Sequence, residues 1–225
     1  MVITKLYTEP QICKKEILRY AGCKGTTDAL LQLLLDECLE EVLPKLSYKV
    51  CYMELPLSIV ENTCDFGCMQ IQSKDLVKNL NGCEKVLLFA ATIGVEIDRA
   101  IAKHAHVSPT KAVLMQAIGA ERIEALCDMF CQEVNAEYRA LETQSVMLRP
   151  RFSPGYGDLP LETQKEILTI LHGFKTIGVS LNDSFLMSPS KSVTAFVGVD
   201  ISGQEKKNKR HSCSTCEKTD CVYRR

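Results

Sequence analysis

The sequence predicts an α+β fold built around a mostly antiparallel sheet. Along its 225 residues, strand and helix patterns interleave irregularly, without the even strand–helix–strand spacing that a parallel sheet needs. Residues 85–91 form an almost unbroken apolar run of strand length, which reads as a buried strand. Ser108-Pro109 opens a long helix pattern over about 110–140.

Composition narrows the class. Hydrophobic residues make up 46% and charged ones 24%, an ordinary globular balance with enough chain for a sizeable core. A formal net charge of −1 gives no general pull toward nucleic acid or membrane. Tryptophan is absent, which disfavours a base-stacking platform. Met1-Val2-Ile3-Thr4-Lys5 carries no apolar signal core, and no run approaches membrane-spanning length. The expectation is a cytoplasmic protein without a nucleic-acid or membrane partner. Of the twelve cysteines, nine lie scattered from Cys13 to Cys131, mostly in apolar patterns where reduced thiols act as small core hydrophobes. Without a secretory signal a disulfide framework is not expected.

The elements follow in order. Pro10 suits a first helical turn, and residues 14–20 read as a short helix stopped by Gly22. Thr26-Thr27-Asp28 offers caps for a second helix. Leu30, Leu33, Leu34, Leu35, Cys38 and Val42 form its apolar stripe, Asp36, Glu37, Glu40 and Glu41 a solvated face, and Pro44 its end. Residues 48–57 alternate as a strand, Pro56 hinting at an edge, with 68–71 as its hairpin partner. Ser73 caps a helix over 74–80, closed by Asn81-Gly82. The buried strand 85–91 ends at Thr92-Ile93-Gly94, and a helix starts near Val95, an arrangement friendly to anions. Its single glycine makes no dinucleotide fingerprint. Gly119, inside the long helix, marks a close crossing of another element or of a ligand. Glu124 lies little more than a turn beyond and can share its crevice. Cys127 and Cys131 stand four apart, but no His or acid completes a metal set, so core burial is the better reading. After a strand over 146–152 and a helix over 161–171 ending at Gly173, residues 179–184 and 192–199 read as two final strands. The chain turns polar and basic near Asp200, which divides a domain over 1–200 from a basic, cysteine-rich tail over 201–225.

The stretch Arg151-Phe152-Ser153-Pro154-Gly155-Tyr156-Gly157-Asp158-Leu159-Pro160 stands apart. Two glycines and three proline or tyrosine rings around them exclude a helix interior or a central strand. The glycines permit positive φ or close approach. Arg151 presents a planar fork for a carboxylate or phosphate, and Tyr156 a flat ring with a polar tip. On residue physics alone, a ligand loop and a plain turn between strand and helix are equally good readings. The run Arg-x-x-x-Gly-Tyr, Arg151 to Tyr156, resembles the S-adenosylmethionine-binding signature of the activation domain of cobalamin-dependent methionine synthase. The longer form through Glu162 is similar to free-standing relatives of that domain. Ala91-Thr92-Ile93-Gly94-Val95-Glu96, the helix containing Glu124, and Ser190-Lys191-Ser192-Val193-Thr194 extend the likeness over roughly residues 10–200.

That resemblance implies a curved, mixed α/β domain with a twisted, mostly antiparallel sheet and flanking helices. It implies that Arg151 holds the methionyl carboxylate, that Ser153, Gly155 and Tyr156 surround the nucleoside, and that Glu124 faces the same ligand, with Glu121 one turn away as its rival. The implied activity is repair: oxidised cob(II)alamin is reduced by one electron and remethylated from S-adenosylmethionine. Cobalamin comes from the partner, a cobalamin-binding methionine synthase subunit, because no Asp-x-His-x-x-Gly pattern occurs here. The electron comes from a donor such as flavodoxin or ferredoxin. The chain is then a component of a methyltransferase, inactive without that partner. Gly157-Asp158-Leu159-Pro160 replaces the Cys-Pro-Asp of fused versions, so ligands drawn from there do not transfer.

In the tail, Cys213, Cys216 and Cys221 have the close spacing of a zinc or iron–sulfur site lacking a fourth ligand. His211 is one candidate for it, and a reduced, solvated tail is the alternative. Two other functions fit the same residues: reactivation of another corrinoid methyltransferase, and a metal-tail adaptor that binds a partner or regulatory nucleotide.

Overall fold

The computed structural model describes residues 1–23, 28–141 and 146–201. In chain order the elements are β1 (Ile3–Tyr7), α1 (Lys14–Tyr20), α2 (Ala29–Val42), a 3-10 turn (Leu43–Lys45), β2 (Tyr48–Pro56), β3 (Ser58–Val60), β4 (Thr63–Asp65) and β5 (Gln70–Gln72). Then come α3 (Lys74–Leu80), β6 (Lys85–Thr92), α4 (Glu96–Ala105), α5 (Pro109–Leu141), β7 (Met147–Leu148), α6 (Thr163–Ile170), α7 (Gly173–Ile177), β8 (Ser180–Leu181), β9 (Met187–Ser188) and β10 (Ser192–Asp200).

Five strands make a curled sheet in the order β1-β2-β6-β10-β7, every pair antiparallel. This is the mixed α/β class that the sequence predicts. β6 is central, with Leu88 paired to Met53 on one side and Phe196 on the other. Its apolar run follows from two covered faces. Leu87, Phe89 and Ala91 join a core with Ile17, Leu35, Ile97 and Phe130 from the helices α1, α2, α4 and α5. Val86, Leu88 and Ala90 point the other way, into a second core with Leu76 of α3, Ile167 of α6 and Ile177 of α7. Strand alternation assigns each side chain to its core.

Helix starts obey local chemistry. Ser73 Oγ accepts from the Leu76 amide at 3.0 Å, Asp28 from Leu31 at 2.7 Å, and Pro109 is the first residue of α5. Pairing departs more from expectation. Residues 3–7 form an edge strand that the sequence reading passes over, so β2 has neighbours on both sides. Pro56 is tolerated because β1 pairs only Tyr48 to Tyr52, leaving the far end of β2 with β6 alone. The expected hairpin of 48–57 with 68–71 is not formed. Gln70–Gln72 pairs β4 in a separate three-stranded sheet, because β6 and β1 already fill both edges of β2. The strand expected over 146–152 shrinks to two residues and an isolated bridge, Phe152 to Phe196. The one over 179–184 shrinks to a two-residue hairpin partner of β9.

The acidic face of α2 is not merely solvated. Asp36 meets Lys14 at 2.6 Å, Glu37 meets Lys111 at 2.8 Å, and Glu41 meets Lys103 at 2.6 Å and His104 at 2.9 Å. These pairs tie α2 to α1, α4 and α5. Its buried stripe is Leu35, Cys38, Leu39 and Val42, while Leu30 and Leu33 lie exposed. Among the described residues no helix is long and apolar enough to cross a membrane.

Candidate functional site

The site is built on α5. Arg151, just past β7, points its half-buried side chain at the helix, where Nη2 donates to Glu124 Oε2 at 2.7 Å and Nη1 to Asp128 Oδ1 at 2.6 Å. Glu124 and Asp128 are one helical turn apart and so stand on one face. Burial opposes the guanidinium charge, but Cys127, Asp128 and Glu124 outweigh it and hold its pKa above the ordinary arginine range. The carboxylates remain open to solvent, 43% and 63% exposed, so a ligand can reach them. Behind them, burial pushes the Cys127 and Cys131 thiols up, with Arg151 pulling partly back. Cys127 is fully buried, and among the described residues no three His, Cys, Asp or Glu side chains gather as a metal set.

Two open grooves meet here. One, of about 360 Å³, lies between α1 and α5 and includes Glu16, Tyr20, Glu124 and Asp128. The other, of about 560 Å³, runs toward β7 and includes Asp128, Cys131, Asn135, Arg149 and Arg151. Asp128 and Gln132 border both, which makes the Arg151 cluster the waist of one trough.

The two candidate glutamates have different environments. Glu121 is 4% exposed. It accepts from the Cys13 amide at 3.0 Å and from both Nε and Nη2 of Arg122. Arg122 is wholly buried and also donates to the carbonyls of Pro10 (2.6 Å) and Gln11 (2.8 Å). That pair fastens the N-terminal segment to α5; Glu124 alone meets Arg151. Asp128, absent from the sequence candidates, completes the cluster; its four-residue spacing from Glu124 was the available signal.

Ser153, Gly155 and Tyr156 follow Arg151 on a tight loop and border neither groove. The Tyr156 amide donates to the Ser153 carbonyl at 3.2 Å, and Gly155, at φ +88, donates to Leu159 at 2.9 Å. The Tyr156 ring is 68% exposed. Asp158, at the far end of the same loop, accepts from Ser73, Lys74 and Asp75 at the start of α3.

Two expectations are corrected. Gly119 does not share a crevice with Glu124. Its Cβ position is closed by Ile97 and Lys191, each 2.9 Å away, so the glycine serves a helix crossing. The turn before α4 is not an anion seat either. Its first turn carries Glu96 and Asp98, which already answer the helix dipole, and Asp98 accepts from the Ser190 amide at 2.9 Å. Gly94, at φ +85, is required because a Cβ there would meet Ser47 Oγ at 2.5 Å. The stretches 91–96 and 190–194 do meet, with Ser192 paired to Thr92 and Val193 to Ala91. Cys213, Cys216 and Cys221 lie outside the described residues.

The fold is one already seen in a solved structure. It is similar to the crystal structure of the MetH reactivation domain bound to AdoHcy, with a TM-score of 0.63 at 16% identity over 91% of this chain and 80% of that one. Residues 67–217 match the model of the vitamin B12 dependent methionine synthase activation domain, and the chain belongs to that family. Among curated proteins none matches.

Proposed function

We propose that this chain is the activation subunit of a cobalamin-dependent methionine synthase and binds S-adenosylmethionine at the Arg151 loop. One observation carries the reading: a half-buried arginine inside an Arg-x-x-x-Gly-Tyr loop, flanked by two accessible carboxylates. The amino-acid end of S-adenosylmethionine is a carboxylate beside an ammonium, next to a sulfonium. The donor set fits such a group, with the Arg151 fork for the carboxylate and Glu124 and Asp128 for the positive charges. Net charge is complementary too, because one cation and two anions face a ligand of charge +1. Ser153, Gly155 and Tyr156 offer backbone and ring to the nucleoside. The family and the AdoHcy-bound neighbour support the same ligand class.

Cobalamin, carried by a partner subunit in the cytoplasm, would supply the cobalt that accepts the methyl group, with one electron delivered by a flavodoxin- or ferredoxin-like donor. This chain's residues then bind and orient. Fixing the methionyl end at α5 sets the direction of the methyl–sulfur bond, so that the methyl can be presented in line. No general base is required of it. The cysteine tail is read as a metal site, zinc or iron–sulfur, at Cys213, Cys216 and Cys221.

Titration calorimetry with S-adenosylmethionine tests the ligand. Saturable heat is expected from the wild type, with affinity reduced about 30-fold in Arg151→Ala, the loss of a charge-assisted bond. A silent wild type would remove the reading. Methylcobalamin formation on a methionine synthase lacking its own activation domain tests the partner. Ligand binding without that reaction would point to another corrinoid methyltransferase.

A further inference from the structure

The loop that follows Arg151 is fastened at both ends, by different elements. At its start Phe152 exchanges both backbone bonds with Phe196 of β10, at 2.9 Å each. At its far end the Asp158 carboxylate reaches the N-terminus of α3, more than eighty residues away in sequence. Oδ1 accepts from the Ser73 hydroxyl and, at 3.2 Å, from the Asp75 amide; Oδ2 accepts from the Lys74 amide at 2.8 Å. Ser73 meanwhile accepts from Leu76 as the cap of α3, so one hydroxyl links cap and loop. Gly157 presses against the same helix turn: at φ +54, its Cβ would come within 2.4 Å of Asp75 Oδ2. Between these anchors the chain is a Gly-rich turn with a largely exposed tyrosine.

We infer that Asp158 is a positioning residue for the ligand loop. It never meets the ligand. It holds Ser153 to Tyr156, the residues that follow Arg151, in one conformation by clamping the loop to α3. The inference rests on the reading of that loop as the S-adenosylmethionine site. Glycines at Gly155 and Gly157 give a free loop many alternative conformations, and a loop not ordered in advance must be ordered by the ligand, at the expense of affinity. A carboxylate is needed because three donors converge on two oxygens, whereas an amide would turn an N–H toward a backbone N–H.

Two readouts separate this role from simple destabilisation. The chain has no tryptophan, so Tyr156→Trp introduces an indole that reports the loop alone. Adding Asp158→Ala is expected to lower the anisotropy of that indole and increase its quenching by acrylamide, while far-UV circular dichroism stays unchanged. In the chain with Tyr156 intact, Asp158→Ala should weaken S-adenosylmethionine binding by about 10- to 100-fold, and Asp158→Asn by roughly a third of that on a logarithmic scale. Ser73→Ala is the comparator. It removes the α3 cap but leaves the Lys74 and Asp75 amides on Asp158, and should lose thermal stability while staying within about threefold of wild-type affinity. Wild-type affinity in Asp158→Ala, or affinity that merely follows melting temperature across the variants, overturns the positioning role and leaves the ligand assignment standing. No binding by the wild type overturns both. If Asp158→Ala does not fold, Asp158→Asn takes its place: weakened binding beyond its loss of stability supports the role, and wild-type affinity overturns it.

Discussion

Arginine occurs in three settings around α5, and burial separates their roles. Arg122 is sealed in with Glu121 and two carbonyls, so Arg122→Ala leaves a buried carboxylate without its counter-charge and is expected to cost about 3–5 kcal/mol by urea denaturation. Arg149, 7% exposed, pairs with Asp200 at 2.8 Å and the Asn81 carbonyl at 3.1 Å, joining β7 to the end of β10. Arg151 has exposed partners, so its ion pairs contribute little to stability. Arg151→Lys should therefore melt within about 1 kcal/mol of wild type, yet bind S-adenosylmethionine at least about tenfold more weakly, because an ammonium cannot span Glu124, Asp128 and a ligand carboxylate as a fork does. A melt with a matched calorimetric titration checks both halves.

Among the elements, α5 carries most of the architecture: its core face includes Leu114, Met115, Ile118, Leu126, Cys127, Phe130 and Val134. Gly119 lets α4 and Lys191 approach it closely. Gly119→Ala gains about 1 kcal/mol of helix propensity, but overpacking against Ile97 costs about 1–3 kcal/mol. Since the Lys191 contacts include its Cγ as well as its Cε, the net expectation is destabilisation of up to roughly 2 kcal/mol, read from the thermal midpoint. Caps and the apolar run of β6 were legible because each acts within a turn or a strand of itself; Pro10, read as a first-turn residue, instead precedes the Cys13 cap of α1 and gives its carbonyl to Arg122. The azimuth of α5 was not legible. Sequence spacing left Glu121 and Glu124 as rivals; the N-terminal segment closes over Glu121 and Arg122, whereas Arg151 reaches Glu124.

Across the whole molecule, ion pairs link elements distant in sequence and make stability acid-sensitive. Lys103 and His104 hold the Glu41 carboxyl down to about 2 from its ordinary 4.5, and the Tyr7 hydroxyl lowers Glu133. A depressed carboxylate confers stability that is complete above its unfolded pKa and is lost as pH falls through its folded one. The urea midpoint should thus decline between pH 4.5 and 2. Glu41→Gln should be less stable than wild type by on the order of 1 kcal/mol at pH 6, the difference closing near pH 2.

By itself the sequence determined the helix starts, the buried central strand, the antiparallel α+β class and the Arg151–Tyr156 loop, since each is encoded by neighbours within a few residues. Tertiary structure decided which strands share an edge with β2, which acids meet Arg151, and that Asp158 grips α3. Those outcomes depend on bonds formed across 23 to 85 residues, where no local spacing records the partner and only the packed fold brings the two ends together.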